Sequence, residues 1–165
     1  MNKLFFKKTF IYFGIILFIF LADRISKLYI LSVLEDLGFV DININSYINL
    51  ILVWNTGIGF GLLSFEQSEI YNLMTALIIF VNLFIVYLII KSKDNSVYYF
   101  LIILGGSLGN LFDRIYYSAV PDFIDISYKG YHWFVFNVAD IFICIGVIIM
   151  ILSEFMVTKT SNEEL

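Results

Sequence analysis

The sequence contains one cysteine, one histidine and one proline in 165 residues, and charge of either sign is scarce. Two of these shortages exclude a class of chemistry. A single cysteine, Cys144, forms no intramolecular disulfide and builds no cysteine-based metal site. Its neighbours Ile143, Ile145, Val147 and Ile148 are apolar, so a buried thiol packing as a small hydrophobe is expected. A single histidine, His132, gives no obvious Ser–His or Cys–His constellation, and no zinc site of the two- or three-histidine kind. It is expected at the membrane interface, outside the chemistry. Charged residues make up 15% of the chain, against about one-quarter in a soluble domain. The net charge of −4, with no basic patch, argues against a nucleic-acid partner.

What the chain has instead is apolar surface. It is 61% hydrophobic and 19% aromatic, with a mean hydropathy of +0.91. Such a chain belongs in lipid. Lys3, Lys7 and Lys8 precede an apolar run from Phe10 to Leu21, as in a secretory signal peptide. The run continues through Asp23-Arg24-Ile25-Ser26-Lys27 to Leu31, and no small-x-small cleavage site follows. Residues 10–31 are therefore expected to remain as a first transmembrane helix, since roughly 20 residues span a bilayer. Further spans are expected at 70–90, 97–114 and 135–156. The fold class is an all-α membrane protein of four transmembrane helices, with residues 1–165 forming one integral-membrane domain.

Between the first two spans the pattern changes. Asp41-Ile42-Asn43-Ile44 and Ile48-Asn49-Leu50 alternate polar and apolar around a turn-like Asn45-Ser46. This predicts a short antiparallel β pair resting at the membrane surface. Asn55-Thr56-Gly57-Ile58-Gly59-Phe60-Gly61 follows, and its alternate glycines allow a backbone to approach a ligand closely. In the second span, Asn82 is expected to bond to a neighbouring helix. Lysines sit at the amino terminus, in the second-to-third loop (Lys91, Lys93) and in the tail (Lys159), while residues 32–69 carry five acids and no Lys or Arg. The positive-inside rule then puts both termini in the cytoplasm.

Polar groups within the spans gather toward the external end. Asp23 and Lys27 lie one helical turn apart, acid before base, as an ion pair prefers. Gly105 and Gly109 form a small-xxx-small pair that allows close helix contact. Asn110 and Asp113 share a helix face, and so do Asn137 and Asp140. Arg114 stands at the rim, within reach of Asp113 or of the Asn55 loop. Asp140, one turn inside the boundary, has no basic neighbour in sequence and needs a partner for its charge. Residues 118–134 are expected to be external and mixed. Four acids, Asp113, Asp122, Asp125 and Asp140, therefore cluster by topology near the outer face.

Two neighbouring carboxylates in a poorly hydrated place share a proton, and their titrations split. One then serves as general base toward water and the other as general acid. That is aspartyl peptide hydrolysis without metal or cofactor. Position alone admits Asp113 with Asp140 as readily as Asp122 with Asp140. Arg114 beside Asp113 would hold that acid ionised, which favours Asp122 modestly. A proton- or ion-coupled transporter is the alternative, because intramembrane acids also mark ion pathways. Against it, the polar residues sit at one side and no polar stripe crosses the bilayer. A purely structural role, with the polar groups serving helix packing, is a third reading.

Five motifs occur in order: Asp23 with Lys27; Asn55-x-Gly57-x-x-Phe60; Gly109-Asn110-x-x-Asp113-Arg114; Val120-x-Asp122-Phe123; and Phe136-Asn137-x-Ala139-Asp140. On these the chain resembles the lipoprotein signal peptidase (signal peptidase II) family of bacteria over nearly its whole length. The resemblance implies a catalytic dyad of Asp122 and Asp140. It implies that Asn55, Gly57, Asn110, Asp113, Arg114 and Asn137 shape the site and hold the substrate backbone, with Asp23 and Lys27 in support. It implies a prolipoprotein substrate carrying diacylglycerol on a cysteine and cut before that cysteine. The implied setting is the bacterial inner membrane, with lipid as partner, a monomeric enzyme and the site toward the extracytoplasmic face. Two departures are visible: Pro121 stands where the family often has Val, and Gly59 where it often has Ala.

Overall fold

The computed structural model describes residues 3–57, 68–92 and 94–163. Gly59, Phe60 and Gly61 of the glycine-rich segment, and Lys93, lie outside the described residues. The elements run α1 (Lys3–Leu37), β1 (Asp41–Asn43), β2 (Ile48–Asn55), α2 (Ser68–Lys91), α3 (Ser96–Tyr117), β3 (Val120–Tyr128), β4 (Tyr131–Phe136) and α4 (Val138–Glu163). All four helices are long and apolar enough to cross a membrane. Their outer faces carry large exposed side chains such as Phe18, Leu73, Phe80 and Phe155. So much exposed apolar surface is stable only against lipid. The chain is a multi-pass membrane protein.

The helix order places α3 at the centre, in contact with α1, α2 and α4. Its mean hydropathy, 1.2, is the lowest of the four spans, against 2.8 for α2. The least greasy helix is thus the one shielded from lipid. Glycines let its neighbours close in. A methyl group on Gly105 would stand 2.9 Å from Ile19 of α1, and one on Gly106 would stand 2.6 Å from the Ala139 carbonyl of α4.

The strands form one antiparallel sheet in the order β1-β2-β3-β4. Because β1 and β2 join α1 to α2, and β3 and β4 join α3 to α4, the whole sheet lies at one end of the bundle. The β1–β2 pair forms where alternation predicted it. The Asn45 side chain closes its turn by accepting from the backbone N–H groups of Tyr47 (2.8 Å) and Ile48 (3.1 Å). The sheet is anchored by Phe123 and Val40 packing on Ile30 of α1, with Val33, Leu34, Leu50 and Val138 around them. That packing explains why α1 runs on to Leu37, beyond the expected end at Leu31.

Two expectations are corrected here, and the β element expected between the first two spans is larger than expected. Residues 118–134 are largely strand: β3 and β4 meet in a tight turn whose central residues, Lys129 and Gly130, both have positive φ. A two-residue hairpin turn that follows strand twist needs this pair of conformations. The fourth span begins at Val138, not 135, since Val135 and Phe136 pair with Asp125 and Ile124. Asn82 bonds to its own helix, Nδ2 to the Ile78 carbonyl at 3.0 Å, and among the described residues it bonds to no other helix. Pro121 stands opposite Trp54 at a point where β4 has not yet joined β3. The strand has one neighbour there, so the missing N–H is tolerated as at an edge.

Candidate active site

Where the sheet meets the bundle, a cavity of about 230 Å³ opens. Asn55, Asn110, Arg114, Asp122, Asn137 and Asp140 form its polar wall, while Ile78, Ile143 and Cys144 contribute to an apolar one. Four elements supply the polar side: β2, α3, β3 and the start of α4.

Asn137 stands between β4 and α4 and caps α4. Its Oδ1 accepts from the Asp140 N–H at 3.1 Å, while Asp140 Oδ2 accepts from the Asn137 N–H at 3.2 Å. This reciprocal capping satisfies donors that the first helical turn would otherwise leave open. With its carbonyl oxygen so engaged, the Asn137 amide must turn its NH₂ outward, where it donates to Asp122 Oδ1 at 2.6 Å. Asn55 repeats the device. Its Oδ1 accepts from the Gly57 N–H and its Nδ2 donates to Asp122 Oδ2, both at 2.8 Å. Asn110 does so a third time. Its Oδ1 accepts from Lys27 Nζ at 2.9 Å, and its Nδ2 donates to Asp140 Oδ1 at 2.8 Å. All four carboxylate oxygens of Asp122 and Asp140 thus face an N–H donor, and each asparagine is oriented by what its carbonyl oxygen accepts.

Asp122 is 2% exposed. Burial, and next the charge of Asp140, push its carboxyl up from 3.8 to about 6, against the pull of the Asn55 and Asn137 amides. Repulsion between two nearby acids is what a shared proton relieves.

Behind the cavity lies a fully buried ionic network. Lys27 Nζ contacts Asp23 Oδ2 at 2.8 Å and Asp113 Oδ2 at 2.6 Å, and with Asn110 this uses all three of its donors. Asp23 also accepts from the Ala139 N–H at 3.0 Å, so α1 helps cap α4. Gly109 makes this possible, because a methyl group there would lie 2.5 Å from the Asp23 carboxylate. Arg114 turns away from Asp113 and donates to the Gly57 carbonyl, fixing the loop that orients Asn55. Tyr71 of α2 donates to the Arg114 carbonyl at 3.0 Å. Arg114 Nη1 is buried with no partner among the described residues.

Several placements differ from expectation. The cations on Asp113 are Lys27 and Arg24, not the adjacent Arg114. Asp113 is wholly buried and does not line the cavity, nor do Asp23 and Lys27. Asp125 separates from the other acids: it bonds Asn49 at 3.1 Å and His132 at 2.7 Å within the sheet. Cys144 is exposed, not buried, and lines the cavity one turn beyond Asp140. Its apolar neighbours face lipid and cavity, not a core. Arg24 was missed, because its partner is distant in sequence and one position from Asp23 gives no helical pairing rule.

A family model described as signal peptidase (SPase) II matches residues 15–156. The chain belongs to the signal peptidase II family. It is 49% identical over 165 residues to a lipoprotein signal peptidase of Pelagibacter ubique, covering 99% of each chain. A second relative of that name, from Anaplasma phagocytophilum, is 42% identical over 135 residues, covering 80% of this chain and 83% of the other. A solved bacterial membrane enzyme, determined at 2.3 Å by the in meso method, shares the fold with a TM-score of 0.71. It is 26% identical, and the match covers 92% of this chain and 90% of that one. As a member of the signal peptidase II family, the protein is a membrane protease.

Proposed function

We propose that this protease removes the signal peptide from diacylglyceryl-modified prolipoproteins, cutting before the lipidated cysteine with a dyad of Asp122 and Asp140. The observation that carries this reading is the pair of carboxylates in one cavity, each held by oriented amides. The ionised member takes a proton from water as its oxygen attacks the scissile carbonyl carbon. The other gives its proton to the carbonyl oxygen, which becomes a hydroxyl. On collapse of the tetrahedral intermediate the C–N bond breaks, the departing amine takes the proton that the general base gained from water, and a hydroxyl proton of the intermediate returns to the other carboxylate, so the dyad again shares one proton. No cofactor enters these steps.

Charge counting supports a single shared proton. Asp23, Asp113, Asp122 and Asp140 share the cavity and the network behind it with Arg24, Lys27 and Arg114, so one proton leaves the ensemble neutral. Net charge in a dry place is costly. The unpartnered Arg114 Nη1 at the cavity wall suits a substrate carbonyl. With Asn55 and the Gly57 loop it would fix the peptide, a positioning contribution. The lipid-facing helices would receive the acyl chains while the cavity takes the bond to be cut.

The lysine distribution sets the orientation in this reading. Both termini lie in the cytoplasm, and the sheet and cavity lie at the extracytoplasmic face of the bacterial inner membrane. Residues 1–165 act as one domain, as a monomer. The test is to incubate purified protein with a diacylglyceryl-modified prolipoprotein and locate the cut by mass spectrometry. Two products divided immediately before the lipidated cysteine are expected. Intact substrate after incubation with folded protein would overturn the reading.

A further inference from the structure

Arg24 lies on α1 between Asp23 and Lys27 and is 8% exposed. Its Nη2 stands 2.6 Å from Asp113 Oδ1, while Lys27 Nζ takes the other oxygen of that carboxylate, also at 2.6 Å. Its guanidinium carbon lies 4.9 Å from the centre of the Phe112 ring. Among the described residues its Nε is buried with no hydrogen-bond acceptor, and the Nη2–Asp113 contact is an ion pair without hydrogen-bond alignment. A buried guanidinium with an unmet donor is poor stabilising material. Its placement points to a role in the charge of the site.

We propose that Arg24 is an electrostatic positioning residue for the reaction, supplying the third positive charge against which Asp122 and Asp140 divide one proton. The proposal rests on the aspartic reading above. Arg24 touches neither dyad acid. It takes one oxygen of Asp113, so Lys27 spends a single donor on that carboxylate and keeps another for Asn110, and Asn110 holds Asp140. The charged groups facing this network are Asp23, Arg24 and Lys27 from α1, Asp113 and Arg114 from α3, Asp122 from β3 and Asp140 from α4. Without Arg24, Lys27 alone would answer Asp23, Asp113 and, through Asn110, Asp140. The ensemble would then carry one negative charge with the dyad singly protonated. The dyad would bind protons more readily, and both limbs of the activity profile would move to higher pH.

The experiment compares pH profiles of kcat/KM for prolipoprotein cleavage by the full-length protein in detergent. Arg24→Gln is expected to move both limbs upward by about half a pH unit or more. Arg24→Lys, which keeps the charge, should leave them in place. Asp113→Asn removes a negative charge and should move them downward. The pair Arg24→Gln with Asp113→Asn restores the balance and should bring them back. Where Arg24→Gln fails to fold, Asp113→Asn carries the test through its opposite sign. Limbs that stay put in Arg24→Gln or in Asp113→Asn, while activity merely drops, would overturn the proposal. That failure differs from failure of the aspartic reading, in which Asp122→Asn or Asp140→Asn would remain active.

Discussion

Lys27 and Asn110 meet at 2.9 Å, and that contact decides which end of the Asn110 amide faces Asp140. An ammonium group has only donors, so it selects the amide oxygen and leaves the NH₂ for the carboxylate. A residue on α1 thereby sets a hydrogen bond between α3 and α4.

Lys27→Met should therefore fail in two ways. It leaves Asp23 and Asp113 buried without their shared cation, a loss of roughly 3–5 kcal/mol. It also frees Asn110 to turn, so kcat should fall by more than about tenfold even where the variant folds. Thermal unfolding in detergent and a kcat measurement together check both. Full kcat in a folded Lys27→Met would contradict the relay.

Asn137 combines a cap and a carboxylate donor, and two substitutions separate them. Asn137→Ala should lose about 1 kcal/mol from the cap as well as activity. Asn137→Ser keeps a capping oxygen but has no amide to reach Asp122. It should regain most of the stability while staying at least about tenfold slower than wild type. Recovery of both properties in Asn137→Ser would show that the contact with Asp122 is dispensable.

The close approach of α1 and α3 is tested at Gly109. A Cβ there would meet the Asp23 carboxylate, so Gly109→Ala should cost about 1–3 kcal/mol and reduce activity. Gly14 on the same α1 helix as Asp23 has nothing within 4 Å of such a Cβ. Gly14→Ala should be neutral or stabilising by up to about 1 kcal/mol. Equal effects at the two glycines in unfolding measurements would argue against the tight crossing.

Asp122 makes stability depend on pH in a stated direction. Its folded value, about 6, stands above the ordinary 3.8. The protonated carboxyl therefore favours folding below about pH 4, and that contribution is lost as pH rises through about 6. Asp122→Asn does not titrate. Its stability relative to wild type should rise across this window by on the order of 1–3 kcal/mol. Unfolding curves at pH 4 and pH 8 compare the two, and a constant difference would contradict the assignment.

The spans were readable because long apolar runs have few other meanings in a chain this poor in charge. The β1–β2 pair was readable from its alternation. The β3–β4 hairpin was not, since β3 buries Asp125 and Ser127 and exposes Ile126 and Tyr128. The usual rule, apolar inward, gives no strand signal there. The Lys129-Gly130 turn flanked by aromatic residues was the cue available. At the site, helical spacing paired Asp23 with Lys27 and Asn110 with Asp113. It did not reveal that Arg24 and Lys27 divide one carboxylate on another helix, because that contact exists only after α1 packs on α3. The same limit separated Asp113 from Asp122: composition makes them equivalent, and only packing hides one behind two cations.

The most direct test of the dyad is cleavage of a diacylglyceryl-modified prolipoprotein by purified wild type, Asp122→Asn, Asp140→Asn and Asp113→Asn, each checked for folding. The account predicts a cut before the lipidated cysteine by wild type and loss of at least about a thousandfold in both dyad variants. Asp113→Asn should keep measurable activity. An active Asp122→Asn beside an inactive, folded Asp113→Asn would contradict it.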